Sequence, residues 1–133
     1  MCRIILAMAA TYNLGFAVWL GLWPSAVFAL FAMTPPWPAQ VSQVLATAIG
    51  LFALVYGYAV VWPEHARPIV MLGLLSKIVP PIAWALVVIL GDWPPRTFVL
   101  ILCDDIVWWF PFGYCLWAYG DAASKGTRFL AAG

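Results

Sequence analysis

Apolar residues gather into four long runs, 4–23, 41–62, 69–90 and 98–119, separated by short stretches rich in proline and polar residues. Each run has about the ~20 residues that an α-helix needs to cross the hydrocarbon core of a bilayer. A β-barrel strand would be nearer ~10 residues with strict alternation, and that alternation is missing. The expected fold is an all-α integral membrane protein: four transmembrane helices in an antiparallel bundle, one membrane domain over 1–133, with a loose tail over 120–133. Segment 24–40 opens with Pro24 and closes on Pro35-Pro36-Trp37-Pro38, so its apolar middle is expected to lie in the interface plane as a short helix. Residues 63–68 and 91–97 read as tight polar turns.

Composition agrees with the pattern. The 133 residues are 66% hydrophobic and 8% charged, against ~25% charged in soluble domains. Trp23, Trp37, Trp62, Trp93 and Trp117 fall near the ends of runs, as an interfacial aromatic belt requires. Met1-Cys2-Arg3 before an apolar stretch resembles a signal sequence, but no convincing cleavage site follows, and a retained first span is expected. With four spans, Arg3, Arg67, Lys125 and Arg128 share one side and Arg96 stands on the other. The positive-inside rule then puts both termini in the cytoplasm of a multi-pass protein of a cell membrane, of the bacterial inner-membrane type.

Several classes of function lose support. Net charge +1 with scattered basic residues leaves no nucleic-acid footprint. Nucleotide-binding glycine loops and the signatures of zinc proteases and serine hydrolases do not occur. His65 is the single histidine, and Cys2, Cys103 and Cys115 lack metal-ligand spacing, so no metal and no cofactor are expected. Cys103 and Cys115 are roughly 18 Å apart on one helix, too far to bridge, and the cysteines are read as buried, inert thiols.

The polar residues inside the runs carry the interest. Asp104 and Asp105 stand side by side in the fourth run and Lys77 lies in the third. Insertion scales charge about +2.5 to +3.5 kcal/mol for each such residue at a helix centre, so each needs a partner or a task. On straight antiparallel helices Lys77 and Asp104 stand ~8–9 Å apart along the membrane normal, a gap that a lysine side chain and some tilt can close. One ammonium cannot neutralise two carboxylates. One aspartate is therefore expected to pair with Lys77, and the other to hold a proton or face a wet cavity.

Pro80 and Pro81 free the carbonyls of Ser76 and Lys77, so the third helix is expected to break there. Broken helix plus buried charge is a recurrent pattern of membrane binding sites. The candidate catalytic residues are Asp104, Asp105 and Lys77. Trp108, Asn13, Tyr12, Ser76, Trp84 and Phe112 are the candidate ligand-binding residues, whereas Trp109 and Phe110 are read as packing or lipid-facing anchors. Small-residue faces, Ala10, Asn13, Ala17 and Gly21 in the first run and Ala46, Gly50, Ala53 and Gly57 in the second, would let helices approach closely.

Three functions fit these residues. The first is binding of a lipid-like or amphipathic ligand, with acid–base chemistry on it as an enzymatic version. The second is an accessory subunit docked on a larger membrane complex. The third is a proton-coupled transporter, which would have to be a homo-oligomer.

Overall fold

The computed structural model of the chain describes residues 1–35 and 37–131, with side chains through Gly120. Among these the fold is all-helical, 86% helix with no strands. In order come α1 (Cys2–Leu22), the short α2 (Pro24–Ala29), α3 (Ala39–Val61), α4 (Ala66–Ile89), α5 (Phe98–Asp104) and α6 (Trp109–Ala131). Short 3₁₀ turns over Pro63–His65, Pro95–Thr97 and Ile106–Trp108 join the later elements. Four stretches are long and apolar enough to span a membrane: Cys2–Leu22, Ala39–Val61, Pro63–Ile89 and Pro95–Gly120. The chain divides into two compact units.

The first unit, Met1 with Arg3–Pro63, holds α1, α2 and α3. Leu6, Ala9, Asn13, Ala17 and Leu20 form the buried stripe of α1, spaced three and four residues apart as a single helix face demands. Ser42, Ala46, Ala53, Tyr56 and Ala59 are the buried residues of α3. The two helices run in opposite directions. Arg3 Nε donates to the carbonyl of Val60 at 3.0 Å, and a methyl group on Gly21 would lie 3.4 Å from Cβ of Ala46. Small side chains thus set the spacing of this pair.

Trp23 leaves helical geometry (φ −131°, ψ 61°), so α1 ends and Pro24 opens α2. Ala32 closes the turn after α2 with a positive φ of 47°, and the Met33 N–H reaches back to the Phe28 carbonyl at 3.1 Å. Phe28 and Trp37 meet edge to face at 5.4 Å, while Trp37 Nε1 donates to Ser42 Oγ at 2.9 Å. Pro36, part of the expected proline cluster, lies outside the described residues.

The second unit, Cys2 with Glu64–Gly133, is built on α4 packed against α5 and α6. Two expectations need correction here. First, α4 does not break at Pro80-Pro81; it is one helix from Ala66 to Ile89 with both prolines inside it. Second, it is the fourth span that breaks, at Asp105, between α5 and the 3₁₀ turn Ile106–Trp108. The tail is helical through Ala131, and residues 132–133 lie outside the described residues.

The loop between the two spans is tied at both ends. Gly91 sits at φ 84°, where an L side chain would be strained, and the Asp92 N–H reaches the Val87 carbonyl at 3.0 Å. Trp84 Nε1 donates to Thr97 Oγ1 at 2.8 Å, and that hydroxyl donates to the Pro94 carbonyl at 2.7 Å.

Cys2 and Cys115 are joined as a disulfide, with Cα atoms 5.5 Å apart. This corrects the reading of these two as inert thiols. Their sequence separation is 113 residues, so spacing along one helix had no bearing on whether they meet.

Candidate functional site

The site grows out of two buried stripes in the second unit. On α4 the buried residues are Ala66, Val70, Gly73 and Lys77. Along the fourth span they are Ile101, Asp105, Trp108, Phe112 and Cys115. Lys77 and Asp105 therefore sit on the faces that each helix turns inward, where small residues such as Ala66 and Gly73 leave room for a close neighbour.

The break in the fourth span decides how the carboxylates are aimed. On an uninterrupted helix adjacent side chains diverge by about 100°. Here α5 ends at Asp104, and Asp105 takes φ −116° and ψ −60° before the chain tightens into the 3₁₀ turn. The Asp105 N–H still bonds the Ile101 carbonyl at 3.0 Å, and the Asp105 carbonyl accepts from the Trp108 N–H at 3.1 Å. The backbone at the break is thus held on both sides while the two carboxyls converge on one ammonium. Lys77 Nζ lies 3.4 Å from Asp104 Oδ2 and 3.5 Å from Asp105 Oδ1. Lys77 thus bridges both aspartates, which corrects the expected pairing with just one.

Both distances exceed the ~2.7–2.9 Å of a tight charge-assisted bond, so the ammonium is shared between the carboxylates. Exposure separates the three groups: the side chains of Lys77 and Asp105 are 7% and 4% exposed and that of Asp104 14%. Asp104 lies at the rim of the cluster. Its second oxygen, Oδ1, is buried and has no hydrogen-bond partner among the described residues. With both carboxyls ionised the trio carries one surplus negative charge.

Trp109 completes the arrangement. Pro81 has no N–H, so the Lys77 carbonyl loses the donor that position would supply in a regular helix. Trp109 Nε1 supplies it instead, at 2.9 Å. This bond satisfies the acceptor that Pro81 leaves open, and it ties the Lys77 backbone to the fourth span. Trp109 was read as an anchor from sequence. The signal that could have found it is the freed carbonyl of Lys77, which calls for a donor on the neighbouring span.

The remaining candidate residues divide by position. Trp108 and Phe112 are buried, with ring centroids 5.7 Å apart, and continue the stripe that carries Asp105. Ser76 Oγ donates to the Gly73 carbonyl at 2.8 Å, a bond within its own helix. Trp84 stands seven residues beyond Lys77, about two helical turns, and its indole is bonded to Thr97 at the loop. Asn13 and Tyr12 belong to the first unit, where Asn13 is buried on α1 and Tyr12 stacks on Phe16 at 6.4 Å.

Comparison with family models, curated proteins and solved structures finds no match. The chemistry must be read from the residues themselves. Two carboxylates and one ammonium buried together can hold a hydrogen-bond donor, a cation or a proton, and of these the cation or the proton would offset the surplus charge.

Proposed function

We propose that the chain is a multi-pass protein of a cell membrane, its four apolar helices crossing as an antiparallel bundle with α2 lying in the interface plane. The outward faces support this reading. Ile89 and Phe110 are each 80% exposed, and Leu54, Val44 and Leu75 are further large apolar side chains left open. An exposed apolar surface of this extent suits lipid, because water contact costs about 25 cal/mol per Å². The basic residues Arg3, Arg67, Lys125 and Arg128 favour termini on the cytoplasmic face.

Within that frame Lys77, Asp104 and Asp105 bind the polar end of a lipid-like or amphipathic ligand. The observation that carries this is the buried oxygen of Asp104 left without a partner beside an ammonium already shared. A buried unsatisfied acceptor costs about 1–3 kcal/mol, a cost that a donor on a ligand would remove. Purification in mild detergent followed by mass spectrometry of bound lipids and proteins tests the reading. A small amphiphile retained by the wild type and lost in Asp104→Asn or Asp105→Asn is the expected result. Recovery with no such molecule in either form would refute it.

A second reading, docking onto a larger membrane complex, is favoured by one feature of the first unit. An open groove of about 400 Å³ is lined by Ala17, Gly21, Ala46 and Thr47 among others, small enough side chains for another helix to approach closely. Co-purification of a stoichiometric partner in the same experiment would support it.

A further inference from the structure

With both carboxyls ionised, the cluster of Lys77, Asp104 and Asp105 is one positive charge short of neutrality, and one carboxylate oxygen is left open. Asp104 Oδ2 and Asp105 Oδ1 face the ammonium at 3.4 and 3.5 Å. Asp104 Oδ1 has no partner among the described residues. A carboxylate oxygen only accepts, so whatever meets it must bring a hydrogen. An anionic head would set acceptor against acceptor, and Lys77, held between two carboxylates, is poorly placed to compensate. A neutral hydroxyl would satisfy the oxygen but leave the surplus charge buried.

Resting on the ligand-binding reading above, we propose that the ligand is an amphiphile with an N–H-bearing ammonium head. The ammonium donates to Asp104 Oδ1 and brings the cluster to neutrality, with Lys77 and Asp105 as the inner half of a four-charge arrangement. Access comes from the side of the fourth span. Asp104 is the most exposed of the three groups, and Val107, three positions after it, is an open apolar side chain. An alkyl tail lies against Val107 while the head reaches inward. A quaternary ammonium carries the charge but no N–H, so it serves as the discriminating control.

The experiment compares four probes of equal chain length on the purified wild type in phosphatidylcholine nanodiscs: dodecylamine, dodecyltrimethylammonium, dodecanol and dodecanoate. Saturable binding is read by calorimetry and by tryptophan fluorescence. Dodecylamine is expected to bind one per chain, about tenfold or more tighter than the other three, and Asp104→Asn to weaken it by about 10- to 100-fold. Dodecylamine bound equally well by Asp104→Asn overturns the proposal. Dodecanoate or dodecanol bound as tightly as the amine overturns the ammonium class but leaves a ligand site at Asp104. No saturable binding of any probe to the wild type overturns the class and the ligand reading together. The head-group series on the wild type decides the matter even where the variant fails to fold. Adding phosphatidylethanolamine to the nanodiscs separates two sources of the same chemistry. Competition with dodecylamine assigns the site to an aminolipid, unchanged affinity assigns it to a free amine, and both results keep the class.

Discussion

Trp109→Phe removes the indole N–H, and two ring carbons with it, from the point where α4 meets the fourth span, and its cost can be worked out in advance. The indole N–H is bonded to the Lys77 carbonyl at 2.9 Å, a carbonyl that Pro81 leaves without a donor from its own helix. Phenylalanine keeps most of the ring, so little apolar contact is lost. What remains is a part-buried carbonyl with no partner, worth about 1–3 kcal/mol. The same account makes a sharper claim about a pair of substitutions. Pro81→Ala restores an N–H at the position that normally bonds Lys77, so Trp109→Phe should cost little in that background. Equilibrium unfolding in bicelles of the wild type, both single variants and the double variant gives the coupling directly. A coupling of about 1–2 kcal/mol, with the double variant more stable than the singles add up to, is expected. Equal cost of Trp109→Phe with and without Pro81 would refute the reasoning and return Trp109 to the role of a packing ring.

Other outcomes follow from the same structure. Lys77→Met leaves two carboxylates facing each other beside an apolar side chain and should destabilise by about 3–5 kcal/mol; adding Asp104→Asn and Asp105→Asn should recover most of that in the same unfolding assay. Ala32→Gly relieves the positive φ of 47° and should stabilise by roughly 0.5–1 kcal/mol, seen as a raised melting temperature in detergent. Non-reducing peptide mapping of alkylated protein should return Cys2 and Cys115 in one linked pair, and Cys115→Ser should abolish it. In rapidly quenched cells the cytoplasmic termini proposed above call for both as separately alkylated peptides, and a linked pair there would argue against that orientation.

The helices were legible because each apolar run is long and is closed by tryptophan or by a glycine with an aspartate behind it. Four of those runs correspond to the stretches long and apolar enough to cross a membrane. The candidate cluster was legible as composition: Lys77, Asp104 and Asp105 were singled out because charges in apolar runs are costly. Its geometry was legible in part. Straight helices put the Lys77 and Asp104 backbones ~8–9 Å apart along the normal, a gap that the lysine side chain can close, and the ammonium does reach Asp104 at 3.4 Å. That it reaches Asp105 as well, at 3.5 Å, in a span that bends out of helical geometry there, was not legible. A local residue does mark that stretch: Pro111 has no N–H to give the Val107 carbonyl, which lies in the 3₁₀ turn Ile106–Trp108. The prolines of α4 misled. Pro80 and Pro81 do remove donors, but the consequence depends on a tryptophan 28 residues beyond Pro81, whose indole takes over one of the two missing bonds.

The separation of Lys77 from its counter-charges also has a consequence in time. The lysine stands 27 residues ahead of Asp104, and a chain made from its amino end at ~5–20 residues per second makes Lys77 roughly 1–5 s before Asp104 exists. During that interval the ammonium has neither carboxylate beside it. In a chain that crosses a membrane as proposed, α4 would then carry its ammonium unpaired, and arrival of Asp104 and Asp105 would complete the cluster.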